Sequence, residues 1–158
     1  MKVILGLGGN LGDRAENLRQ ALAAVAALPE TRVLKTSRIY ETEPFDVLSE
    51  QPPYLNLCAL VETALPPEAF LPRCLEIETD LGRVRLEYHG ARTVDIDLLV
   101  CEDFESHTPA LTVPHPRMLE RAFVLVPLSD LFPEGNALGV DFSEALKRVD
   151  KSGVKLYE

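Results

Sequence analysis

The order in which strand-like and helix-like segments follow one another constrains the fold of this chain more than any other feature. Alternating or continuous apolar residues predict strands, and apolar residues spaced three or four apart predict helices. The order is strand, helix, strand, strand, helix, strand, over residues 2–7, 14–28, 32–42, 54–63, 66–82 and 94–100. This split pattern is typical of ferredoxin-like proteins. We therefore expect an α+β fold with a largely antiparallel sheet and helices packed on its faces, in a single domain over residues 1–158.

The rest of the chain predicts smaller elements. Residues 101–114 are rich in turn formers and leave room for a short strand. A third helix is expected to begin near Pro116 and to include Arg121, while residues 143–149 and 154–157 predict a fourth helix and an edge strand. Pro72 falls inside the second helix and should kink it or delay its start, because proline lacks a main-chain N–H.

Charge and composition exclude several classes of partner. The net charge of −9 argues against binding nucleic acid through a basic surface. No apolar run reaches the roughly 18 residues of a membrane span, and the apolar stretch at the N-terminus is too short for a secretory signal. The three cysteines are widely spaced and fit buried thiols in a reducing compartment rather than disulfides. We therefore expect a cytoplasmic protein that binds neither nucleic acid nor membrane.

Two aspartates stand inside the last strand of the predicted frame. Asp95 and Asp97 should project from the same face, about 6.6 Å apart along the strand, because alternate strand residues share a face. Arg83, Arg85 and Arg92 precede them closely. Carboxylates suit magnesium and arginines suit phosphate oxygens, so the segment predicts a magnesium–polyphosphate site. Taken alone, an Asp-x-Asp pair in a strand is more often a solvated polar face, and that interpretation stays open at this point.

The glycines near the N-terminus do not form a nucleotide-binding loop. A dinucleotide fingerprint beginning at Gly6 would need a third glycine where Leu11 stands. A phosphate-binding loop ending in Gly-Lys-Ser/Thr is also excluded, since no lysine lies between Lys2 and Lys35. A tight turn from a strand into a helix is the favoured interpretation.

Two further positions carry candidate binding groups. Tyr54 and Asn56 share a face of the third predicted strand, and an aromatic plane beside an amide suits a flat heterocycle. The alternative is a core tyrosine beside an asparagine that serves a turn. His115, held between two prolines before a predicted helix, can meet a phosphate or can equally be a capping or core histidine.

An ordered set of short motifs runs through most of the chain from residue 4 to about 130. They are Gly8-Gly9-Asn10-Leu11-Gly12, Thr42-Glu43-Pro44, Tyr54-Leu55-Asn56, Glu78, Leu81-Gly82-Arg83-Val84-Arg85, Gly90-Ala91-Arg92-Thr93-Val94-Asp95-Ile96-Asp97, Pro114-His115-Pro116-Arg117-Met118 and Glu120-Arg121-Ala122-Phe123. In these motifs and their order the chain resembles the 6-hydroxymethyl-7,8-dihydropterin pyrophosphokinases of folate biosynthesis.

The resemblance implies an activity and a set of site residues. The activity is transfer of the pyrophosphoryl group of ATP to the hydroxymethyl group of the pterin by a protein that is usually monomeric, with two Mg²⁺ ions at Asp95 and Asp97. The pterin would lie between Tyr54 and Phe123, with its edge hydrogen-bonded by Asn56, Thr42 and the backbone of Pro44 and Phe45. The nucleotide site would comprise Glu78, Arg85, Ile96, Thr112, His115 and Arg121. Arg83 and Arg92 would act catalytically from mobile loops that close over the phosphates.

The chain departs from the common family pattern in two places. Where relatives commonly have Arg-Trp-Gly-Pro-Arg before the metal-binding strand, this chain has Tyr88-His89-Gly90-Ala91-Arg92, and Asp46 stands where a glycine is common. The departure at residues 88–91 is the one support for an alternative function, a non-catalytic pterin- or nucleotide-binding regulator derived from the family.

Overall fold

The computed structural model of the protein describes residues 1–43, 52–81 and 93–158. A group of the predicted site residues lies outside these ranges, namely Pro44, Phe45, Arg83, Arg85 and Arg92. The same holds for the atypical stretch at residues 88–91 and for Asp46.

The strands of the described residues form one main sheet and two small hairpins. The strands are β1 (Lys2–Gly9), β2 (Thr31–Thr36), β3 (Tyr40–Thr42), β4 (Tyr54–Thr63), β5 (Asp95–Cys101), β6 (Ser106–His107), β7 (Thr112–Val113), β8 (Asn136–Ala137), β9 (Val140–Asp141) and β10 (Val154–Leu156). The main sheet has the order β10-β3-β4-β1-β5, with β2 also paired to β4. Every pairing in it is antiparallel, as the sequence predicted. β6 pairs with β7, and β8 pairs with β9.

Four α-helices complete the described part of the chain. They are α1 (Arg14–Ala26), α2 (Pro67–Asp80), α3 (Ala122–Leu131) and α4 (Ser143–Arg148). α1 begins where the sequence predicted, because the carboxylate of Asp13 accepts a hydrogen bond from the main-chain N–H of Glu16 and so satisfies a first-turn donor. None of the described helices is long and apolar enough to cross a membrane.

The expectation of one strand over residues 32–42 is wrong, because the chain leaves the sheet between β2 and β3. Ser37 keeps contact with β4 through two hydrogen bonds to Cys58, one of them made by its side-chain hydroxyl. The next N–H, that of Arg38, donates instead to the carboxylate of Asp130 on α3. A side chain on a helix packed above the sheet thus takes a donor that a continuous strand would use within the sheet.

The expectation that the third helix includes Arg121 is also wrong. A short 3-10 turn covers Met118–Glu120, and Arg121 then has extended backbone angles, with φ −114° and ψ 109°. Its carbonyl accepts the first hydrogen bonds of α3, from the N–H groups of Val124 and Leu125. Arg121 therefore precedes α3 as its N-terminal flanking residue. The start of α2 is not delayed by Pro72 either, since the helix begins at Pro67 and runs through that proline.

The main sheet separates two apolar clusters. One face carries Val3, Leu5 and Leu7 of β1 and is covered by α1 and α2. The other face carries Ile4 of β1, Cys58 of β4 and Leu99 of β5, and is covered by α3. Polar residues follow on this second face beyond the part that α3 covers, and they form the candidate site.

Candidate active site

Asp95 and Asp97 lie on one face of β5, as the alternation predicted. In the register with β1, Asp95 stands opposite Gly8 and Asp97 opposite Gly6. Both aspartates are half-buried. Because the β1 residue beside each carboxylate is a glycine, no side chain of β1 stands next to either of them on this face.

A single row across the sheet connects the carboxylate side of the site with Asn56. In β4 the partner of Gly8 is Asn56, and in β3 the partner of Asn56 is Tyr40. A Cβ atom on Gly8 would lie only 2.5 Å from Oδ1 of Asn56, so the amide of Asn56 occupies the space above Gly8. Asn56 and Asp95 flank β1, with their Cα atoms roughly two strand spacings, or about 9.6 Å, apart. The sequence predicts Gly8 as a turn residue, whereas it is the next-to-last residue of β1 and makes room for Asn56; a glycine at the end of a strand is a signal of such a close approach.

The Asn56 amide is fixed by a second strand. Its Nδ2 donates to the hydroxyl of Thr42 at 3.1 Å, and the side chain is 8% exposed. Thr42 pairs with Tyr54 across the β3–β4 ladder. The structure thus brings together Thr42, Tyr54 and Asn56, which are three of the residues predicted to bind a flat heterocycle.

Phe123 approaches the same surface from α3. The carbonyl of Val124 accepts from the thiol of Cys58 at 3.6 Å, which places the first turn of α3 above that part of β4. Tyr54 lies on the same face as Cys58, four residues or about 13 Å away along the strand, with Asn56 between them. Phe123, which precedes Val124, is half-buried and packs against the cluster beneath α3. The helix that bears Phe123 therefore packs on the strand face that carries Tyr54 and Asn56.

His115 and Arg121 lie in the loop region that follows β5. The main chain of His115 donates to the carbonyl of Leu99 at 2.8 Å, which ties this loop to the strand bearing the aspartates. Nδ1 of His115 accepts from the N–H of Arg117 at 3.2 Å, so in the neutral ring the proton is on Nε2. Burial lowers the pKa of His115, the charges of Arg121 and Arg117 lower it further, and Asp95 opposes the shift.

The guanidinium of Arg121 belongs to the same group of charges. Burial lowers its pKa, and the charges of Asp97 and Asp95 oppose that shift. Arginine stays charged at neutral pH even when partly buried. Its Cζ atom lies 5.5 Å from the ring centroid of Phe123. Arg121 thus stands between the carboxylate side of the site and the aromatic side, which suits a ligand that has both a phosphate and a ring.

Glu78, Ile96 and Thr112 have structural contacts of their own. Glu78 is 2% exposed, and its Oε2 accepts from the main-chain N–H of Ile96 at 2.7 Å. Ile96 is 3% exposed with its side chain in the core beneath α1 and α2, so any contact it makes with a nucleotide has to come from its main chain. The hydroxyl of Thr112, on β7, donates to the carbonyl of Thr108 at 2.8 Å. Glu78 therefore fixes the strand segment that lies between the two aspartates.

The N-terminal turn holds the beginning of β4. Asn10 is 1% exposed, and its side-chain amide donates to the carbonyl of Pro52 at 3.0 Å. Arg14, at the start of α1, donates from one nitrogen to the carboxylate of Glu41 and to the carbonyl of Pro53, both at 2.9 Å. Nothing in the local sequence around Arg14 indicates these contacts. The turn thus positions Tyr54 indirectly.

The donor set on β5 fits magnesium that also binds phosphate. Within residues 1–43, 52–81 and 93–158, no group of three or more His, Cys, Asp or Glu side chains is placed to hold a metal ion. Mg²⁺ is commonly bound by one or two carboxylates, with waters and substrate phosphates completing its octahedral shell. Asp95 and Asp97 supply such a pair on one face of one strand, with glycines beside them.

Comparison with known proteins shows the family of this chain. The model of the family described as 7,8-dihydro-6-hydroxymethylpterin-pyrophosphokinase matches residues 4–133. The 2-amino-4-hydroxy-6-hydroxymethyldihydropteridine pyrophosphokinase of Methylorubrum extorquens is 40% identical over 157 residues, covering 99% of each chain. The protein of the same name from Bacillus subtilis is 37% identical over 154 residues, covering 98% of this chain and 89% of its own.

Solved structures align closely with this chain in fold, although their sequences are very different from it. The crystal structure of wild-type Plasmodium falciparum HPPK-DHPS with pteroate aligns with a TM-score of 0.71 at 16% identity, covering 93% of this chain. This chain spans 42% of the length of that solved chain. The likeness concerns the fold alone and confirms the predicted α+β, ferredoxin-like architecture.

Proposed function

We infer the activity of this chain from its membership: it belongs to the 7,8-dihydro-6-hydroxymethylpterin-pyrophosphokinase family, and it is an ATP-dependent pyrophosphokinase of folate biosynthesis. It transfers the pyrophosphoryl group of ATP to the hydroxymethyl group of 6-hydroxymethyl-7,8-dihydropterin, which yields AMP and the pterin diphosphate. The alternative of a non-catalytic regulator receives no support from the relatives, which are named as pyrophosphokinases.

The observation that carries the assignment of the site is the row that contains Asn56, Gly8 and Asp95. It joins an amide that suits the edge of a heterocycle to a carboxylate that suits a metal–phosphate complex, with only a glycine between them. A pterin whose edge lies at Asn56 can therefore direct a substituent toward Asp95, because β4 and β5 flank the same strand. An acceptor hydroxyl and a polyphosphate meet in such an arrangement.

On the acceptor side we assign the pterin to the surface between β3, β4 and α3. Tyr54 and Phe123 stack on the ring from opposite sides, and Asn56 and Thr42 hydrogen-bond its edge. This assignment is supported by the Asn56–Thr42 hydrogen bond and by the contact of the first turn of α3, which bears Phe123, with the face of β4 that carries Tyr54 and Asn56. Main-chain groups of Pro44 and Phe45 complete the contact with the edge in the proposal, although both residues lie outside the described part of the chain.

On the donor side we assign the phosphates of ATP to the surface between β5 and the loop that precedes α3. We propose that Asp95 and Asp97 would hold two Mg²⁺ ions, whose charge would neutralise that of the phosphate oxygens. Nε2–H of His115 donates to a phosphate oxygen, and the guanidinium of Arg121 pairs with another. Glu78, Ile96, Thr112 and Arg85 remain candidates for the nucleotide site, with Glu78 acting through the position of β5.

The reaction has a simple balance. The hydroxymethyl oxygen of the pterin forms a bond to the β-phosphorus of ATP, and the bond from that phosphorus to the α–β bridging oxygen breaks. AMP leaves with the bridging oxygen, and the hydroxyl proton passes to water. Orientation by Tyr54, Asn56 and Phe123 keeps the hydroxyl in line, and the charge of Arg121 stabilises the transferring group. In the proposal Arg83 and Arg92 add to this charge stabilisation; both lie outside the part of the chain that the structure describes.

Asp97→Asn tests the proposed metal site because it removes one charge while preserving the size of the side chain. We expect turnover, measured as AMP release, to fall by several orders of magnitude, while the affinity for 6-hydroxymethylpterin stays within a few-fold of the parent. The rise in Tm produced by Mg²⁺ with a non-hydrolysable ATP analogue should shrink. Asp150→Asn, at an exposed aspartate, is the control and should behave as the parent. Near-normal turnover in Asp97→Asn would sink the metal assignment.

We further propose that the protein acts as a monomer in the cytoplasm and that residues 1–158 form one pyrophosphokinase domain. The monomer is supported by the family resemblance of the motifs, since proteins of this family are usually monomeric. The compartment is supported by Cys58, Cys74 and Cys101, which are free and buried, as thiols in a reducing environment commonly are.

A further inference from the structure

Asp130, near the end of α3, is hydrogen-bonded to Arg38, which lies between β2 and β3, and to Tyr40, the first residue of β3. We call these contacts the Asp130 anchor. The carboxylate of Asp130 accepts four hydrogen bonds: three from Arg38, at 3.1, 3.2 and 3.1 Å, and one from the hydroxyl of Tyr40, at 2.8 Å. Burial by itself would raise the pKa of Asp130, but the hydrogen bonds from Arg38 and Tyr40 outweigh it and hold the pKa below its usual value. The carboxylate is therefore charged at neutral pH, and charged hydrogen bonds of this kind are strong.

The position of the anchor on α3 connects it to the proposed pterin surface. Asp130 follows Phe123 by seven positions, so the two side chains lie on nearly the same stripe of the helix, about two turns apart. α3 also packs on the sheet through Leu125 and Leu128, but apolar contacts are non-directional. The hydrogen bond near Phe123, from the Cys58 thiol to the carbonyl of Val124, is long at 3.6 Å. Hydrogen bonds restrict distance and angle. The anchor thus fixes the Asp130 end of α3 against β3, and through the helix it limits where Phe123 lies.

The other half of the anchor belongs to the strand that faces the pterin edge. Tyr40 is 6% exposed, pairs with Asn56 across the β3–β4 ladder, and lies two residues before Thr42. Its side chain therefore projects from the same face as Asn56 and Thr42. The Tyr40 hydroxyl donates to the carboxylate of Asp130 on α3. This one hydrogen bond therefore connects β3 and α3, the two elements that border the proposed pterin surface.

We propose that Tyr40 and Asp130 are positioning residues for the pterin: together they set the separation between Phe123 on α3 and the Thr42–Asn56 pair on β3 and β4. The inference rests on the proposed pterin surface. Neither residue touches the substrate. Their effect falls on pterin affinity and on the alignment of its hydroxymethyl group, because the side chains assigned to ATP lie on other elements, except for Arg121 just before α3.

The test compares Tyr40→Phe, which deletes one hydroxyl, with Thr63→Val, which deletes another buried hydroxyl at the far end of β4. Thr63 is 1% exposed, and its hydroxyl lies 2.8 Å from that of Thr31. Dissociation constants for 6-hydroxymethylpterin are measured by fluorescence titration with Mg²⁺ and a saturating non-hydrolysable ATP analogue. We expect Tyr40→Phe to raise the dissociation constant of the pterin about threefold to tenfold, which is less than the loss expected from deleting a stacking ring altogether. Thr63→Val should leave the dissociation constant unchanged. The dissociation constant of the ATP analogue without pterin should match the parent in both.

A double-mutant cycle with Phe123→Ala separates positioning from general loss of stability. With no ring left to position, Tyr40→Phe should weaken pterin binding far less in the Phe123→Ala background than in the parent. Parent-like affinity in Tyr40→Phe, or losses that simply add, would overturn the inference while leaving the pterin surface in place. If Phe123→Ala itself binds pterin as well as the parent, the proposed surface is wrong, and the inference falls with it. Asp130→Asn, which weakens the other side of the anchor, should reproduce the selective loss of pterin affinity.

Discussion

Gly8→Ala perturbs the centre of the proposed site with a single methyl group. The added Cβ would lie 2.5 Å from Oδ1 of Asn56 and 3.3 Å from the carbonyl oxygen of Leu55. Ordinary contacts of this kind begin at 3.4 Å, so the Asn56 amide has to recede by the difference, about 0.9 Å. Asn56 is 8% exposed and is held by Thr42 at 3.1 Å, so this displacement breaks or strains that hydrogen bond.

The expected loss is large in function and moderate in stability. A misplacement of about 1 Å in a substrate-positioning group can cost on the order of 10²-fold in rate, and a lost hydrogen bond adds about 0.5–1.5 kcal/mol. We therefore expect pterin affinity to fall about tenfold and turnover about a hundredfold. Overpacking costs about 1–3 kcal/mol, and replacing glycine in a strand returns about 0.5–1 kcal/mol, so the protein should remain folded with a modestly lower Tm.

Two comparisons make this expectation refutable. Gly153→Ala adds a Cβ with no atom within 4 Å and should match the parent in pterin binding, AMP release and Tm. In an Asn56→Ala background, Gly8→Ala should cost almost no further pterin affinity, because the displaced amide is gone. Full pterin affinity in Gly8→Ala, or an equal loss in the Asn56→Ala background, would show that the amide above Gly8 does not hold the substrate.

Two further predictions concern the residues around β5. Glu78→Ala should lower the free energy of unfolding by about 1–3 kcal/mol, or Tm by roughly 2–12 °C, because it leaves the buried N–H of Ile96 without its acceptor. Glu78→Gln keeps an acceptor and should lose less. A Glu78→Ala protein as stable as the parent in thermal unfolding would contradict this. The pKa of His115 is lowered chiefly by burial, so the unfolded chain binds a proton at this histidine more readily than the folded protein does. The stability that the neutral ring contributes is therefore present above pH 6.5, the ordinary pKa of histidine, and is lost as the pH falls below it. Tm measured between about pH 5 and 8 should therefore fall more steeply toward acid in the parent than in His115→Gln, and identical profiles would refute the assignment.

The parts of the site that follow from local pattern could be predicted from the sequence. Asp95 and Asp97 share a face because strand residues alternate, and no distant contact is needed to know it. The same applies to Tyr54 and Asn56 on β4. The limits of helices with a clear start signal, such as Asp13 before α1, are local too. Even the family follows from short motifs in order, since each motif is a run of neighbouring residues.

What only the tertiary structure decided is how these local pieces lie against one another. The pairing of Gly8 with Asn56 joins residues 48 positions apart, and it depends on the register between β1 and β4, which no local period specifies. The break between β2 and β3 and the position of Arg121 before α3 likewise depend on long-range contacts, such as the Arg38–Asp130 hydrogen bonds. The sequence by itself therefore determined which faces are polar, which elements carry them and which family the chain resembles. Packing decided the register, because strand pairing and helix position are set by contacts between distant segments, and the register determines which polar groups meet.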